Sequence, residues 1–210
     1  MKNTRILIVE AHPVSREEIN SILQTDPDFE VVGTAFYTQE ALAMNHEFQP
    51  DIVLLDLKTL GAQSAELISM LYQDIPQIKV LTMSDHWDDA CVHDLAAVGV
   101  LGFVDKTELP EKIVNAIHAV ADGNIWFSQA ALEQLIDKGN EAVPVEDFGL
   151  TDRELDVIRL TAVGKTNREI ALVLEISVKT IEKCLTIIYE KLGVRSRVET
   201  AVWAVRSGLV

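Results

Sequence analysis

Residues 150–181 read LTDRELDVIRLTAVGKTNREIALVLEISVKTI, and the spacing of hydroxyls and carboxylates in that stretch decides how the C-terminal part of the chain folds. Thr151 with Glu154 and Thr166 with Glu169 each place a hydroxyl three residues before a carboxylate, the reciprocal pattern that satisfies the free amides at a helix start. Ser196 with Glu199 repeats the pattern, and Ser177 is a fourth hydroxyl cap. Gly164, Gly193 and Gly208 follow apolar periodic stretches, where a residue tolerant of positive φ closes a helix. The spacing predicts four helices, over 152–163, 167–174, 178–192 and 197–207.

Only Glu175, Ile176 and Ser177 separate the second of these from the third, a turn short enough to hold two helices at a steep angle and project the third outward. In that third helix Ile181, Leu185, Ile188 and Leu192 recur at helical spacing and are expected to face a core with Ile170, Leu174, Leu155 and Ile158. Lys179, Thr180, Glu182, Lys183 and Thr186 are left pointing outward as the candidate DNA-contacting set, with Arg168, Arg195 and Arg197 as candidates for the phosphate backbone nearby. Each has an ordinary alternative as a solvated surface side chain.

Upstream, short β-rich runs at 6–9, 31–35, 52–55, 80–83 and 100–104 alternate with helix-period segments near 14–25, 38–47, 62–73, 88–98 and 108–122. Such βα alternation implies a doubly wound, five-stranded parallel sheet covered on both faces. In such sheets the reactive site collects beyond the carboxyl ends of the strands. Those ends carry Glu10, Ala11 and His12, then Asp56, Ser84 and Lys106. A carboxylate, a hydroxyl and an ammonium brought together there suit the placing of a phosphoryl group on Asp56, since a carboxylate acts as a nucleophile and forms an acyl phosphate. Ser84 would hydrogen-bond the phosphoryl oxygens and Lys106 would offset their charge. Taken singly, Asp56 also reads as an N-cap, Ser84 as a turn former and Lys106 as a solvated charge.

The 210 residues are enough for two modest domains, each able to bury a core without disulfides or metal. Charge divides unevenly: residues 1–149 hold 8 Lys and Arg against 25 Asp and Glu, a net −17, while 150–210 hold 10 against 8, a net +2, within the total of −15. An acidic whole argues against indiscriminate binding to phosphate polymers, but a basic surface confined to one small domain is what counts for docking. Met1 to Arg5 runs into a strand-like segment with no apolar signal region, and no stretch approaches the length that spans a bilayer. A cytoplasmic protein with no membrane partner is expected. Cys91 and Cys184 make no metal-type spacing, nor do His12, His46, His86, His93 and His118.

These residues resemble, over nearly the whole chain, the two-component response regulators of the NarL/FixJ type, which join an N-terminal receiver to a LuxR-type helix-turn-helix. The resemblance is carried by residues 150–181 and by KLGVRSRVETAVWAVRSGLV at 191–210. In the first half, PDIVLLDLKTLG puts Asp56 at the phosphoacceptor position, Ser84 in VLTMSDH matches the family hydroxyl, and Lys106 in GFVDK matches the family lysine. Phe103 sits where the family carries an aromatic whose burial reports activation. The resemblance implies a flavodoxin-like receiver over 1–123, a linker helix and tether over 124–148, and an all-α, four-helix DNA-binding domain over 149–210. It also implies a partner histidine kinase, promoter half-sites about one DNA turn apart, and a homodimer to meet them. The last helix, with Ala201, Val202, Ala204 and Val205, resembles a family dimer contact and otherwise finishes the small domain's core.

The chain departs from the family at two places. Receivers end their first strand with two adjacent acids that help hold Mg2+; here stand Glu10 and Ala11, leaving Glu10, Asp56 and the Lys58 carbonyl as oxygen donors for a weakened site. Lys58 is also a candidate to lend its ammonium to the depleted pocket, and His86 to border it. In the reading helix Glu182 and Cys184 stand where members commonly show a lysine and a histidine. A carboxylate is repelled by phosphate yet accepts from cytosine N4. The expected function is a DNA-binding transcription regulator phosphorylated on Asp56; the alternative, favoured by Ala11, is an unphosphorylated receiver serving a constitutive or ligand-controlled dimer. An enzyme of flavodoxin-like architecture is disfavoured, because no glycine-rich phosphate loop follows the first strand.

Overall fold

The computed structural model describes residues 3–60, 63–85, 95–108, 110–127 and 148–210. The chain divides into two compact units.

In the first unit the order is β1 (Thr4–Val9), α1 (Pro13–Leu23), β2 (Phe29–Ala35), α2 (Thr38–Phe48), β3 (Ile52–Asp56), α3 (Leu57–Leu60), α4 (Ser64–Asp74), β4 (Lys79–Ser84), β5 (Gly102–Asp105), α5 (Pro110–Ala121) and β6 (Trp126–Phe127). The strands form one parallel sheet in the order β2-β1-β3-β4-β5-β6. Buried central strands explain why β1, β3 and β4 read as continuous apolar runs: their two faces are both covered, so alternation is lost. Ile6 and Ile8, Ile52 and Leu54, and Leu81 and Met83 pack with Ile19 and Leu23 of α1 and with Ile113, Ala116, Ile117 and Val120 of α5. Leu7 faces the other way, where a Cβ added to Gly33 would meet Leu7, Met44 and Phe48 within 3.4 Å.

The structure corrects the five-strand expectation. Trp126 and Phe127 add a sixth strand by pairing with Gly102 and Phe103, and the Phe103 and Phe127 rings stack with centroids 5.6 Å apart. Two residues are too few to show an alternating pattern in sequence. The helix expected over 62–73 is α4, and a short helix not expected from sequence, α3, precedes it. Part of the helix expected at 88–98 and most of the linker helix and tether expected over 124–148 lie outside the described residues.

The second unit holds α6 (Asp152–Ala162), α7 (Asn167–Val173), α8 (Val178–Leu192) and α9 (Arg197–Arg206). Thr151 with Glu154 and Thr166 with Glu169 form complete reciprocal caps. Ser196 forms only half of one: its hydroxyl accepts from the Glu199 amide, but the Glu199 carboxylate reaches past it to the amide of Arg195. Glu154 does more than cap, because Lys191 of α8 donates to the same carboxylate at 2.7 Å and so ties two helices together. Burial alone pushes the Glu154 carboxyl up, and Lys191 with the Thr151 amide and hydroxyl outweighs it, leaving it below the usual range. Ile158, Ile170, Ile181, Leu185, Ile188 and Leu192 form the core with Val157, Trp203 and Ala204, while Leu155 is half-buried. Ala201 and Val202 are buried as well, so α9 completes its own unit's packing.

The turn between α7 and α8 contains one unfavourable backbone conformation. The Ile176 amide donates to the Ala171 carbonyl, which closes α7 and puts Glu175 at φ 53°, a place usually taken by glycine. Glu175→Gly is therefore expected to stabilise the protein by roughly 0.5–1 kcal/mol, the relief of strain less the added freedom of the unfolded chain. Urea titration of both proteins reads this directly, and a lowered midpoint would mean that the Glu175 side chain contributes more than its backbone costs.

Candidate functional site

The strand order reverses between β1 and β3, and beyond the carboxyl ends of these two strands Glu10 and Asp56 face the same pocket. Its volume is about 410 Å³, and Ala11, His12, Ser15, Lys58, Thr59, Asp85 and Lys106 complete the lining. Both acids are deeply buried, Glu10 at 1% and Asp56 at 2% exposed. Buried carboxylates must be paired, and one ammonium serves both. Lys106, its side chain 18% exposed, donates to Glu10 Oε2 and stands 2.8 Å from Asp56 Oδ1.

The remaining bonds divide the two oxygens of Asp56 sharply. Thr59 donates to Oδ2 through its amide at 2.9 Å and its hydroxyl at 2.8 Å, so Asp56 caps α3. Among the described residues Oδ1 has the ion pair with Lys106 and no partner in hydrogen-bond geometry. Both oxygens of Glu10 accept hydrogen bonds. His12 donates its amide to Oε1 at 2.8 Å, Ser15 donates its hydroxyl to Oε2 at 2.9 Å, and Lys106 joins Ser15 there. Burial works to raise the Glu10 carboxyl, but Lys106, the His12 amide and the Ser15 hydroxyl outweigh it, so it lies below its ordinary value.

Thr59 and Ser15 were not among the residues expected from sequence. Thr59 follows Asp56 at the same three-residue spacing as the helix caps with the residue types reversed, a signal that was there to be read. Its hydroxyl also accepts the Ala11 amide at 2.9 Å and lies 3.5 Å from Glu10 Oε1, so it bridges the ends of β1 and β3. Ser84 is buried at the end of β4, outside this lining, where its carbonyl accepts the Lys106 amide at 2.9 Å. Lys58 is exposed at the rim and pairs with Asp85 at 2.6 Å, which holds the lysine above its usual range and the aspartate below. Phe103 is fully buried, three residues before Lys106. His86 lies outside the described residues.

These donors do not fit a divalent cation. Mg2+ needs near-octahedral oxygen ligands. Both Glu10 oxygens and Asp56 Oδ2 already accept hydrogen bonds, Ala11 contributes a donor amide turned to Thr59, and among the described residues no cluster of three or more His, Cys, Asp or Glu is placed to hold a metal.

In the second unit Lys179, Thr180, Glu182, Lys183 and Thr186 are all exposed along α8, as expected from their spacing. Thr180 is partly committed, since its hydroxyl lies 2.8 Å from that of the N-cap Ser177. Ile187 is 45% exposed beside this set, an apolar residue not singled out from sequence. Arg168 and Arg195 are exposed, but Arg197 turns inward to Asn167 and the Lys165 carbonyl, and burial lowers its pKa. Lys165, Lys191 and Arg159 are paired with Glu169, Glu154 and Asp156, so the positive charge offered to a partner is concentrated on α8 and at Arg153, Arg168 and Arg195. Cys184 is half-buried, and burial followed by the charge of Glu154 raises its thiol, the opposite of what a reactive cysteine needs.

Among the described residues no helix is long and apolar enough to cross a membrane. Residues 6–118 match the response regulator receiver domain family and residues 149–204 the bacterial regulatory proteins of the luxR family. The chain is similar to the transcriptional regulatory protein LiaR of Bacillus subtilis, with 32% identity over 98% of this chain and 99% of the relative. It is also similar to the response regulator protein VraR of Staphylococcus aureus, with 31% identity over 98% of each. Among solved structures, a LuxR-family two-component response regulator from an Aurantimonas species aligns at 27% identity and TM-score 0.62, covering 67% of this chain and all of that one. RcsB of Salmonella typhimurium, at 23% identity and TM-score 0.58 over 98% of this chain and 99% of that one, shares the fold. A receiver-type sheet with paired carboxylates and a lysine at its switch point, joined to a LuxR-type helix-turn-helix, places this chain in the family of DNA-binding transcriptional response regulators.

Proposed function

We propose that Asp56 is the phosphoacceptor of this regulator and that its phosphorylation by a partner histidine kinase controls dimerisation and DNA binding. The observation that carries the reading is the asymmetry of Asp56: Oδ2 is held by Thr59, while Oδ1 meets only the Lys106 ammonium, and no hydrogen-bond donor in good geometry, among the described residues. In transfer from a phosphohistidine, Oδ1 forms the new P–O bond as the P–N bond breaks, and the electron pair stays on the imidazole nitrogen, which then takes a proton from solvent. Lys106 offsets the charge carried by the transferred group, a positioning and electrostatic role. The proposed division is a receiver over 1–123, a connecting segment over 124–148 and a DNA-binding domain over 149–210, with the sheet's last strand, Trp126–Phe127, at the start of the connecting segment. In the C-terminal domain α8 enters the major groove with Lys179, Thr180, Glu182, Lys183 and Thr186, and a dimer meets two half-sites.

A second reading is favoured by Ala11 and by the saturated Glu10: a receiver that is never phosphorylated and serves as a constitutive or ligand-controlled dimer module. Intact-mass measurement after exposure to phosphoramidate separates the two. The first reading expects a gain of one phosphoryl group that Asp56→Asn abolishes. Absence of any gain, with or without Mg2+, selects the second.

A further inference from the structure

We infer that the Asp56 pocket works without a divalent cation, because Lys106 supplies the positive charge between the two acids and Thr59 holds the second oxygen of Asp56. The inference deepens the phosphoacceptor reading and rests on it only for what the pocket is for; the exclusion of the cation stands on the bonding itself. Two carboxylates at the end of a parallel sheet would ordinarily invite a dication, since each must be neutralised once buried. Here the bridge between them already exists. The Lys106 ammonium donates to Glu10 Oε2 and lies 2.8 Å from Asp56 Oδ1, occupying a position in contact with an oxygen from each acid.

The coordination shell fails for a second reason. Glu10 Oε1 accepts the His12 amide at 2.8 Å, Glu10 Oε2 accepts the Ser15 hydroxyl at 2.9 Å, and Asp56 Oδ2 accepts both groups of Thr59. A hydroxyl has one proton to give, and Thr59 gives it to Asp56 at 2.8 Å, which leaves its lone pairs for the Ala11 amide at 2.9 Å. The end of β1 therefore turns a donor toward the pocket at the position where the resemblance leads one to expect a carboxylate. An ion entering at Asp56 Oδ1 would find one committed neighbour after another and would have to displace Lys106 first. With a single charged bridge in place the pair keeps net charge −1, so the electrostatic gain from a dication is smaller than it would be with a further carboxylate at position 11.

The inference is tested by isothermal titration of the full-length protein with MgCl2 and, separately, MnCl2. Wild type is expected to give no saturable heat through the millimolar range. Ala11→Asp adds a carboxylate at an exposed position and is expected to create saturable binding, increased further when combined with Thr59→Ala. Saturable Mg2+ binding by wild type that Asp56→Asn abolishes would overturn the inference. The phosphoramidate reaction gives an independent arm: modification of wild type that changes by less than about twofold between EDTA and Mg2+ supports it, whereas modification that requires Mg2+ overturns it and leaves Asp56 as acceptor. If no modification occurs in either condition the phosphoacceptor reading fails by itself, and the titration alone decides whether the pocket excludes the cation.

Discussion

Lys106→Met is expected to destabilise the first unit by about 3 kcal/mol at neutral pH, and the loss should shrink on acidification. The variant leaves two carboxylates, 1% and 2% exposed, with no cation between them. Removing one partner of a buried pair costs more than the pair itself contributes, and partial exposure of the lysine keeps the loss at the low end. The sign with pH follows from Glu10. In the wild type its folded pKa is lowered, so its contribution is present above the unfolded pKa and fades as pH falls through the folded one. In the variant burial, the largest influence, still acts to raise the carboxyl, while the Lys106 bond and charge that opposed it are gone and only the His12 amide and Ser15 hydroxyl oppose it. The penalty is then present at neutral pH and disappears as the solution is taken below the ordinary carboxylate range, about pH 4. Urea titrations of both proteins at neutral pH and near pH 4.5 compare the gaps. An equal gap at the two values would show that the lysine acts through packing of its stem and not through charge.

Glu182→Lys is expected to strengthen binding to a random-sequence duplex about tenfold at low salt, from a two-unit change of charge next to the phosphates after allowance for solvent screening. Glu182 is exposed on α8 between Lys179 and Lys183, whose positive charge it partly cancels. The slope of log affinity against log salt should steepen by about one phosphate contact, while Lys183→Ala should flatten it by a similar amount and weaken every sequence alike. Fluorescence anisotropy at several salt concentrations measures both. Against a cognate operator the same Glu182→Lys variant should lose discrimination at one position if the carboxylate accepts from cytosine N4. Unchanged affinity and slope on random DNA would remove Glu182 from the DNA-facing surface altogether.

Much of the fold was written locally. The caps at Thr151 and Thr166 need only a four-residue window, and the glycines at 164, 193 and 208 sit at positive φ where the periodic runs stop. The sheet was legible because its buried strands are short apolar runs ended by turns. What escaped depends on contacts between distant residues or on elements too brief to carry a period. The strand ends placed Glu10, Asp56 and Lys106 near one another, but no local pattern tells which acid a lysine 96 residues away will choose; it takes both. Ser84 belongs to the same row of strand ends and is buried at the end of β4, and its burial was not legible because alternation along β4 is hidden when both faces are apolar. Arg197 reads as a surface cation and is turned inward by Asn167, 30 residues earlier. Trp126 and Phe127 are a strand only because Gly102 and Phe103 offer an edge.

That last pairing gives β5 two grips at once. Its end carries the ammonium between the acids, and its middle ring lies nearly parallel to that of Phe127, at 13°. The strand that positions the ammonium is thereby tied to the last strand of the sheet, so the lysine is held from a rigid edge and not from a free loop.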